Sequence, residues 1–261
     1  MTQEIHNISF KNYLSEIYDN PSKLHEAYKI FHNYSFYNTI LAKSQMSKLE
    51  PINTYVGWKK LDRQVKKGSK AIKLLLPIKY NKKSDNDNNQ KHEEATTFTK
   101  FIKKPNWFSL SQTEGKAFKN PELPNFNILE SLKNLGIKKE EFRIINGNCQ
   151  GYAIPNENII AINPLAFAPY KTIFHEIAHC LLHKDKSLMI DDIKLNNSIM
   201  EFEAETVAYL VCSSLGEFEH LEYSRGYIMN WINKDNIKEE NFKRSFDAAN
   251  KILKSSTIKG L

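Results

Sequence analysis

Residues Phe174–His183 read F-H-E-I-A-H-C-L-L-H and hold the sequence H-E-x-x-H inside an amphipathic helix pattern. On a helix, residues four positions apart lie about 40° apart on one face, so His175 and His179 can reach the same small ion. Glu176 lies beside the first histidine, where its carboxylate can act on a metal-bound water. A catalytic metal site requires two neutral imidazoles, a nearby base and an open coordination position. The pentapeptide therefore predicts a metal site, provided that a third ligand exists.

A second helix pattern downstream supplies candidates for that ligand. Met200–Val211 reads M-E-F-E-A-E-T-V-A-Y-L-V, with three glutamates near its start. Glu201 and Glu205 share a face, whereas Glu203 is rotated by about 200° from Glu201. We rank Glu201 first as the ligand, Glu205 second and Glu203 third. If Glu201 binds the metal, Glu205 is placed to orient a ligand histidine. The alternative is that these acids only stabilise a helix N-terminus.

Two further residues of the first helix resemble ligands by type. His183 follows His179 by four residues and falls on the same side of the helix. A metzincin places its third histidine two residues further on, after a glycine, and the sequence meets neither condition. We therefore interpret His183 as a helix C-terminal residue. Cys180 points away from the histidine pair, and we interpret it as a buried thiol.

Composition narrows the class of protein. The chain has 261 residues, of which 41% are hydrophobic, and no apolar run approaches the ~20 residues that span a bilayer. The start, M-T-Q-E-I-H-N-I-S-F-K-N, lacks the positive and apolar regions of a signal peptide. Cys149, Cys180 and Cys212 are odd in number and widely spaced, which is typical of a reducing compartment. We expect a folded cytoplasmic protein without a membrane segment.

Charge is divided unevenly along the chain. Residues 1–120 hold 21 Lys and Arg against 11 Asp and Glu, whereas residues 121–261 hold 16 against 19. A basic half joined to a mildly acidic half favours contact between the first half and a polyanion. We place the domain boundary near Pro121–Pro124, which gives domains 1–122 and 123–261. The polar stretch Asn81–Thr97 is interpreted as a loop within the first domain.

The N-terminal half predicts helices followed by a small antiparallel sheet. Residues from Phe10 to Met46 have a helical pattern, broken near Asn20–Pro21 and at Asn33–Ser35. Thr54–Trp58 suits a short strand or a turn. The strand candidates that follow are Ala71–Tyr80, Thr96–Lys103 and Asn106–Leu110.

Basic residues concentrate in one window of this half. Trp58–Lys83 contains ten Lys or Arg and a single acid, Asp62. Lysine and arginine bind phosphates, and unpaired bases stack on aromatic rings, so the mixture favours single-stranded nucleic acid over a duplex. The candidate contacts are Trp58, Lys59, Lys60, Arg63, Lys66, Lys67 and Lys70. The alternative is a solvated charged face with Trp58 and Tyr55 in the core, and for Trp58 the core interpretation is the stronger.

Several motifs in order resemble the ArdC-type antirestriction proteins of plasmids and other mobile elements. Those of the first half are Y-S-F-Y-N-T-I-L (Tyr34–Leu41), V-G-W-K-K-L-D-R-Q-V-K-K-G-S-K-A-I (Val56–Ile72) and F-S-L-S-Q-T-E-G (Phe108–Gly115). Those of the second half are the two helix patterns above and Y-S-R-G-Y-I-M-N-W (Tyr223–Trp231). The first set is similar to the family's single-stranded-DNA-binding domain. The second is similar to its zincin-like domain, which is related to ImmA/IrrE-type peptidases.

The resemblance implies an α+β protein with a DNA-binding domain of helices and a small antiparallel sheet, followed by a zincin-like metallopeptidase domain. It implies one Zn²⁺ ion held by His175, His179 and Glu201, with Glu176 as the base. The expected partners are single-stranded DNA and a protein substrate, and the expected role is protection of incoming DNA. Two alternatives stay open: a DNA-binding protein with a structural, non-proteolytic zinc, or a peptidase that cleaves a regulatory protein of a mobile element.

Peptide cleavage would need two further parts. An extended substrate has to align on a strand edge, and Asn158–Asn163, N-I-I-A-I-N, is our candidate edge strand. A donor for the oxyanion is also required. Tyr209 and Tyr223 are candidates, and their spacing does not decide between them.

Overall fold

The computed structural model describes residues 21–81, 97–120, 122–123, 125–144, 149–184, 189–190, 193–194, 197–232 and 237–256. The helices in this part are α1 (Pro21–Phe31), α2 (Phe36–Lys43), α3 (Tyr55–Lys60), α4 (Ile128–Leu135), α5 (Pro169–Leu182), α6 (Asn197–Leu215), α7 (Leu221–Ile232) and α8 (Glu239–Ser255). The strands are β1 (Ile52–Thr54), β2 (Arg63–Val65), β3 (Ile72–Asn81), β4 (Thr97–Ser109), β5 (Thr113–Gly115), β6 (Lys138–Glu140), β7 (Gly151–Ile154), β8 (Ile159–Ile162), β9 (Met189–Ile190) and β10 (Ile193–Lys194). The predicted α+β class is confirmed.

The chain divides into two compact units. Asn38–Asn120 forms one, here called the sheet unit, and Met1–Tyr37 with Pro121–Leu261 forms the other, here called the helical unit. Helix α1 belongs to the helical unit, where it contacts α6. The bounds of these units therefore differ from a single boundary at residue 122. The assignment of sequence domains 1–122 and 123–261 stays a prediction.

The sheet unit is built on a three-stranded antiparallel sheet in the order β1-β4-β3. The strand predicted at Ala71–Tyr80 is β3. The two strands predicted after it are one continuous strand, β4. After β1, the chain turns into the short helix α3 because the Thr54 side chain accepts a hydrogen bond from the Gly57 N–H and caps the helix.

Two side-chain amides cover the outer edge of β3. The Asn38 amide donates to the Leu75 carbonyl at 3.0 Å and accepts from the Leu75 N–H at 2.9 Å. The Gln45 amide repeats this pair of bonds with Lys73, at 3.0 and 2.9 Å. Each amide therefore forms the two hydrogen bonds that the backbone of a neighbouring strand would form. Because these backbone groups of β3 are already paired, this edge is protected from pairing with another chain.

In the helical unit, a three-stranded sheet has the order β6-β8-β7. Strand β8 is parallel to β6 and antiparallel to β7, so it is the central strand. The prediction that Asn158–Asn163 forms an edge strand is therefore wrong. Within the described residues β6 and β7 each pair with β8 alone, so both are edge strands.

Helix α6 is the centre of this unit and contacts α1, α5, α7 and α8. Its apolar residues Phe202, Val207 and Leu210 are fully buried. Ala204 and Ala208 are also fully buried, and their small side chains let neighbouring helices approach closely. Close packing against α5 brings the two motif helices together, as a shared site requires.

Some predictions lie outside the described residues. They are the start of the first helical region, Phe10–Asn20, and most of the polar stretch Asn81–Thr97. In the described ranges, no helix has the length and apolar character needed to cross a bilayer.

Candidate metal centre

Helix α5 holds the two motif histidines side by side. Pro169 starts the helix, where its fixed φ is favourable and its missing N–H has no cost. Phe174, Ile177 and Ala178 bury the opposite side of the helix in the core. The Nε2 atoms of His175 and His179 consequently lie 3.1 Å apart.

Glu201 on α6 completes a group of three. One of its carboxylate oxygens lies 3.3 Å from His175 Nε2, and the other lies 3.4 Å from His179 Nε2. Ligand atoms on a tetrahedral zinc, with bonds of ~2.0–2.1 Å, are about 3.3 Å apart. The three side chains therefore fit one tetrahedral cation, and the half-exposed Glu201 side chain leaves the group accessible from solvent.

A second glutamate of α6 sets the orientation of His175. Glu205 accepts a hydrogen bond from His175 Nδ1 at 3.0 Å, so the Nδ1 atom carries a hydrogen, and in the neutral imidazole that binds a metal Nε2 has the lone pair. Lys171, one turn before His175, donates to the other Glu205 oxygen at 2.7 Å. Sequence reasoning missed Lys171, although its spacing from His175 places both on one side of α5.

Glu176 is buried beside the first residue of β7. It is 7% exposed, and a β-carbon added to Gly151 would lie 3.1 Å from Glu176 Oε1 and 2.8 Å from Thr172 Cγ2. Any side chain at position 151 would therefore push against the carboxylate. Gly151 lets the edge strand approach Glu176 closely, a requirement that the sequence alone does not reveal.

Burial and neighbouring side chains shift the pKa values of the residues around the metal group. Burial acts to lower the pKa of His175, but hydrogen bonds to Glu201 and Glu205 outweigh it and raise that pKa to about 9. Burial raises the pKa of Glu176 to about 7, which suits a group that takes and returns a proton near neutral pH. Burial acts to raise the pKa of Glu205, but its contacts with His175 and Lys171 lower it to about 2. Burial and the charge of His175 lower the pKa of His179.

The other candidates are not members of the three-residue group. Glu203 and His183 are fully buried and contact each other at 2.9 Å. Cys180 is buried, and its thiol donates to the Ile159 carbonyl. Tyr209 is 1% exposed, whereas Tyr223 is 65% exposed. Tyr223 is thus the one of the two tyrosines that solvent can reach.

The aromatic candidate of the basic window is a core residue. Trp58 is 1% exposed, its indole N–H donates to the Phe108 carbonyl at 2.8 Å, and its ring packs edge-on against Phe118. A base cannot stack on this ring, so the prediction that Trp58 contacts DNA is corrected in favour of the core interpretation. Tyr55, by contrast, is 43% exposed.

The basic residues around Trp58 fall into two groups. Arg63 is tied down, since its guanidinium donates to the Thr113 side chain at 2.8 Å, to the Thr113 carbonyl at 3.1 Å and to the Lys116 carbonyl. Arg63 therefore joins β2 to β5 and the residue after it. The exposed members are Lys59, Lys60, Lys66, Lys67 and Lys70.

Two known domain families match the chain in sequence. Residues 14–108 match the N-terminal domain of the anti-restriction factor ArdC. Residues 133–254 match the IrrE N-terminal-like domain, a peptidase family. The chain carries both domains. The resemblance read from the motifs is thereby confirmed, and the candidate metal group lies within the second domain.

A comparison with solved structures found a chain of similar fold. The Mn(II)-bound crystal structure of the antirestriction protein ArdC from plasmid R388 aligns with a TM-score of 0.50 and 16% identity, covering 96% of this chain and 99% of that one. At this identity the likeness shows the fold alone. The metal-free structure of the same protein aligns with a TM-score of 0.48.

A relative was also found among curated proteins. An uncharacterized protein of Bacillus anthracis is 27% identical over 278 aligned positions, which cover 87% of this chain and 46% of the relative. The chain therefore spans about half the length of that relative.

Proposed function

We propose that the protein binds single-stranded DNA and carries a zinc metallopeptidase site, and that it protects the incoming DNA of a mobile element from restriction. The observation that carries the proposal is the group formed by His175, His179 and Glu201, with Glu176 buried next to it. The ArdC domain that precedes the group supports the DNA part. Three free cysteines favour a cytoplasmic location.

The types of the three ligand side chains favour zinc. Two imidazoles and a carboxylate are a common ligand set of catalytic zinc, which when bound polarises a carbonyl and makes its water more acidic. The related R388 protein was crystallised with Mn(II), so zinc and manganese both have to be compared. His175, His179 and Glu201 would hold the ion, and Glu205 would keep His175 in the tautomer that binds it.

Glu176 is the proposed base. Its carboxylate is buried, and its raised pKa, about 7, lets it take a proton from water and return it to the leaving amine. A substrate strand would lie along β7, the edge that reaches Glu176 through Gly151. Main-chain hydrogen bonds to such an edge hold an extended peptide without regard to most of its side chains.

The DNA surface proposed is the exposed part of the basic window in the sheet unit. Lys59 and Lys60 end helix α3, and Lys66, Lys67 and Lys70 surround the turn at Gly68, whose φ of 84° lies in the left-handed region that favours glycine. These lysines can follow a phosphate backbone. Tyr55, whose ring is exposed one turn before Lys59, takes the stacking role first assigned to Trp58.

One pair of assays tests the proposal. The protein, loaded with Zn²⁺ or Mn²⁺, is incubated with denatured casein, and its affinity for an oligothymidine strand and for the matching duplex is measured at several salt concentrations. We expect metal-dependent cleavage, and single-strand binding that weakens with salt at a slope of about −0.7 per phosphate neutralised. Equal affinity for the duplex, or an affinity that salt does not change, would contradict the DNA part.

The same assays separate the second candidate function. If single-stranded DNA is bound but no cleavage occurs with either metal, the metal is structural. The burial of Glu205 and its ion pair with Lys171 are the observations that favour this candidate, because they join α5 to α6 whether or not catalysis takes place.

A further inference from the structure

A second buried polar cluster lies behind the candidate metal group. Its members are His183 at the end of α5, Glu203 on α6, and Asn241 and Arg244 on α8. The side chains of His183 and Glu203 are 0% exposed. His183 Nδ1 lies 2.9 Å from His179 Nδ1, so the cluster contacts a proposed metal ligand on the side away from the metal.

Glu203 receives four hydrogen bonds in this cluster. Its Oε1 atom accepts from Asn241 at 2.9 Å and from Arg244 Nε at 3.0 Å. Its Oε2 atom lies 2.9 Å from His183 Nε2 and accepts from Arg244 Nη2 at 3.3 Å. Asn241 and Arg244 present N–H donors, and a guanidinium cannot accept. The carboxylate is therefore the acceptor in every contact, and His183 Nε2 must carry a hydrogen.

The position of that hydrogen fixes the tautomer of neutral His179. A neutral imidazole protonated on Nε2 has a lone pair on Nδ1. The Nδ1 atom of His183 then accepts a hydrogen bond, and the facing Nδ1 atom of His179 must donate it. With its hydrogen on Nδ1, His179 presents a lone pair on Nε2, the atom that faces His175 and Glu201.

The opposite assignment blocks the site. A hydrogen on His183 Nδ1 would require a lone pair on His179 Nδ1, and neutral His179 would then carry its hydrogen on Nε2, where the metal has to bind. Glu203 thus sets the direction of the hydrogen bond between His179 and His183. That direction determines whether His179 Nε2 can bind a metal.

The two ligand histidines are connected to their carboxylates in different ways. His175 donates directly to a carboxylate, Glu205, which pairs with Lys171 on the same helix. His179 reaches its carboxylate, Glu203, through a second imidazole, and the balancing cation, Arg244, comes from α8. Arg244 Nη2 also donates to the Leu182 carbonyl at 2.8 Å, which fixes the end of the ligand helix to α8.

We propose that His183 and Glu203 are positioning residues that hold His179 in its metal-binding tautomer and orientation, with Arg244 keeping Glu203 in place as an acceptor. The inference rests on the metal site of the proposed function. Ligand histidines commonly donate their second N–H to an acceptor, and removal of that acceptor lowers metal affinity by about 10- to 100-fold. Here the acceptor is an imidazole, which binds only if its own hydrogen is directed elsewhere.

The test compares His183→Leu with His183→Gln. Leucine removes the acceptor, whereas glutamine keeps one acceptor and one donor and can rebuild the chain from His179 to Glu203. Zinc affinity is measured by competition with a chelator, and the visible spectrum of the Co²⁺-loaded protein reports the ligand geometry. We expect His183→Leu to weaken zinc binding by about 10- to 100-fold and to shift the spectrum, and His183→Gln to restore most of both.

Ser245→Ala is the matched control, because Ser245 is buried on α8 next to Arg244 and bonds the backbone carbonyls of Glu203 and Asn241 but no side chain of the cluster. It should bind zinc like wild type. Wild-type zinc affinity and spectrum in His183→Leu would overturn the inference, as would equal losses in His183→Leu, His183→Gln and Ser245→Ala. Failure of the wild-type protein to bind any metal would instead remove the proposed function itself.

A measurement on the wild-type protein covers the case in which His183→Leu does not fold. In ¹⁵N–¹H spectra of the zinc-loaded protein, long-range couplings distinguish the two neutral forms of each histidine. We expect the hydrogen of His179 on Nδ1 and that of His183 on Nε2. A hydrogen on Nδ1 of His183 would overturn the inference.

Discussion

The two compact units present their functional residues in opposite ways. In the helical unit the residues around the metal group are largely buried, and His175, His179 and His183 each contact a partner from another turn or another helix. In the sheet unit the proposed DNA-binding lysines, Lys59, Lys60, Lys66, Lys67 and Lys70, are exposed. Trp58 and Arg63 form hydrogen bonds that serve the fold. Single substitutions should therefore abolish function in the helical unit but only reduce it stepwise in the sheet unit.

The largest expected effect is that of Glu176→Gln on peptide cleavage. The amide cannot take a proton from water, so metal-dependent cleavage of denatured casein should fall by about 10²- to 10⁴-fold. Zinc content and single-strand affinity should stay at wild-type values, since Glu176 is not in the three-residue group. Glu157→Gln, an exposed glutamate of the same unit, is the control. Unreduced cleavage by Glu176→Gln would show that another group is the base.

Next in size is the decrease in stability caused by Trp58→Ala. Removing a fully buried tryptophan leaves a cavity and removes the indole hydrogen bond to the Phe108 carbonyl, so the free energy of unfolding should fall by about 3–5 kcal/mol. Chemical denaturation measures this change. Single-strand affinity per folded molecule should be retained. A stable variant with much weaker DNA binding would restore Trp58 as a DNA contact.

Tyr55→Ala should have the reverse pattern. Because the ring is exposed, stability should change little, whereas removing the surface on which one base stacks should weaken single-strand binding by about 1–3 kcal/mol. Tyr55→Phe keeps the ring and should bind like wild type, and Tyr170→Ala, an exposed tyrosine of the helical unit, should have no effect. Fluorescence anisotropy with an oligothymidine strand measures all three. Equal binding by Tyr55→Ala and wild type would remove stacking at this position.

The smallest effect expected belongs to the lysines. Replacing Lys59 and Lys60 together by glutamine should reduce the slope of log affinity against log salt by about 1.4, or 0.7 for each phosphate that a lysine no longer neutralises. Lys138 and Lys139, an exposed pair in the helical unit, provide the matched double substitution. If both double variants changed the slope equally, binding would follow net charge and not the basic window.

Local spacing was enough to predict which side chains of α5 and α6 meet. His175 and His179 share a helix face by position alone, and the spacing of the glutamates places Glu201 and Glu205 on one face of their helix and Glu203 on another. The family motifs then predicted the domain order, which the matches confirm.

Contacts between distant segments could not be predicted in this way. His183 contacts Glu203 of α6, which in turn accepts from Asn241 and Arg244 of α8, and nothing near residue 183 indicates these contacts. Strand β8 has the apolar pattern expected of an edge or a centre, and only its pairing with β6 and β7 makes it central. Trp58 lies among lysines in sequence, but its indole reaches a carbonyl 50 residues away.

Metal analysis of the purified protein tests the central claim, that α5 and α6 jointly bind one cation. Wild type should hold one zinc or manganese ion per chain, and Glu201→Ala should lose it while keeping single-strand binding. Glu222→Ala, an exposed glutamate of α7, should keep the metal. Full metal content in Glu201→Ala, or no metal in wild type under any loading condition, would contradict the account.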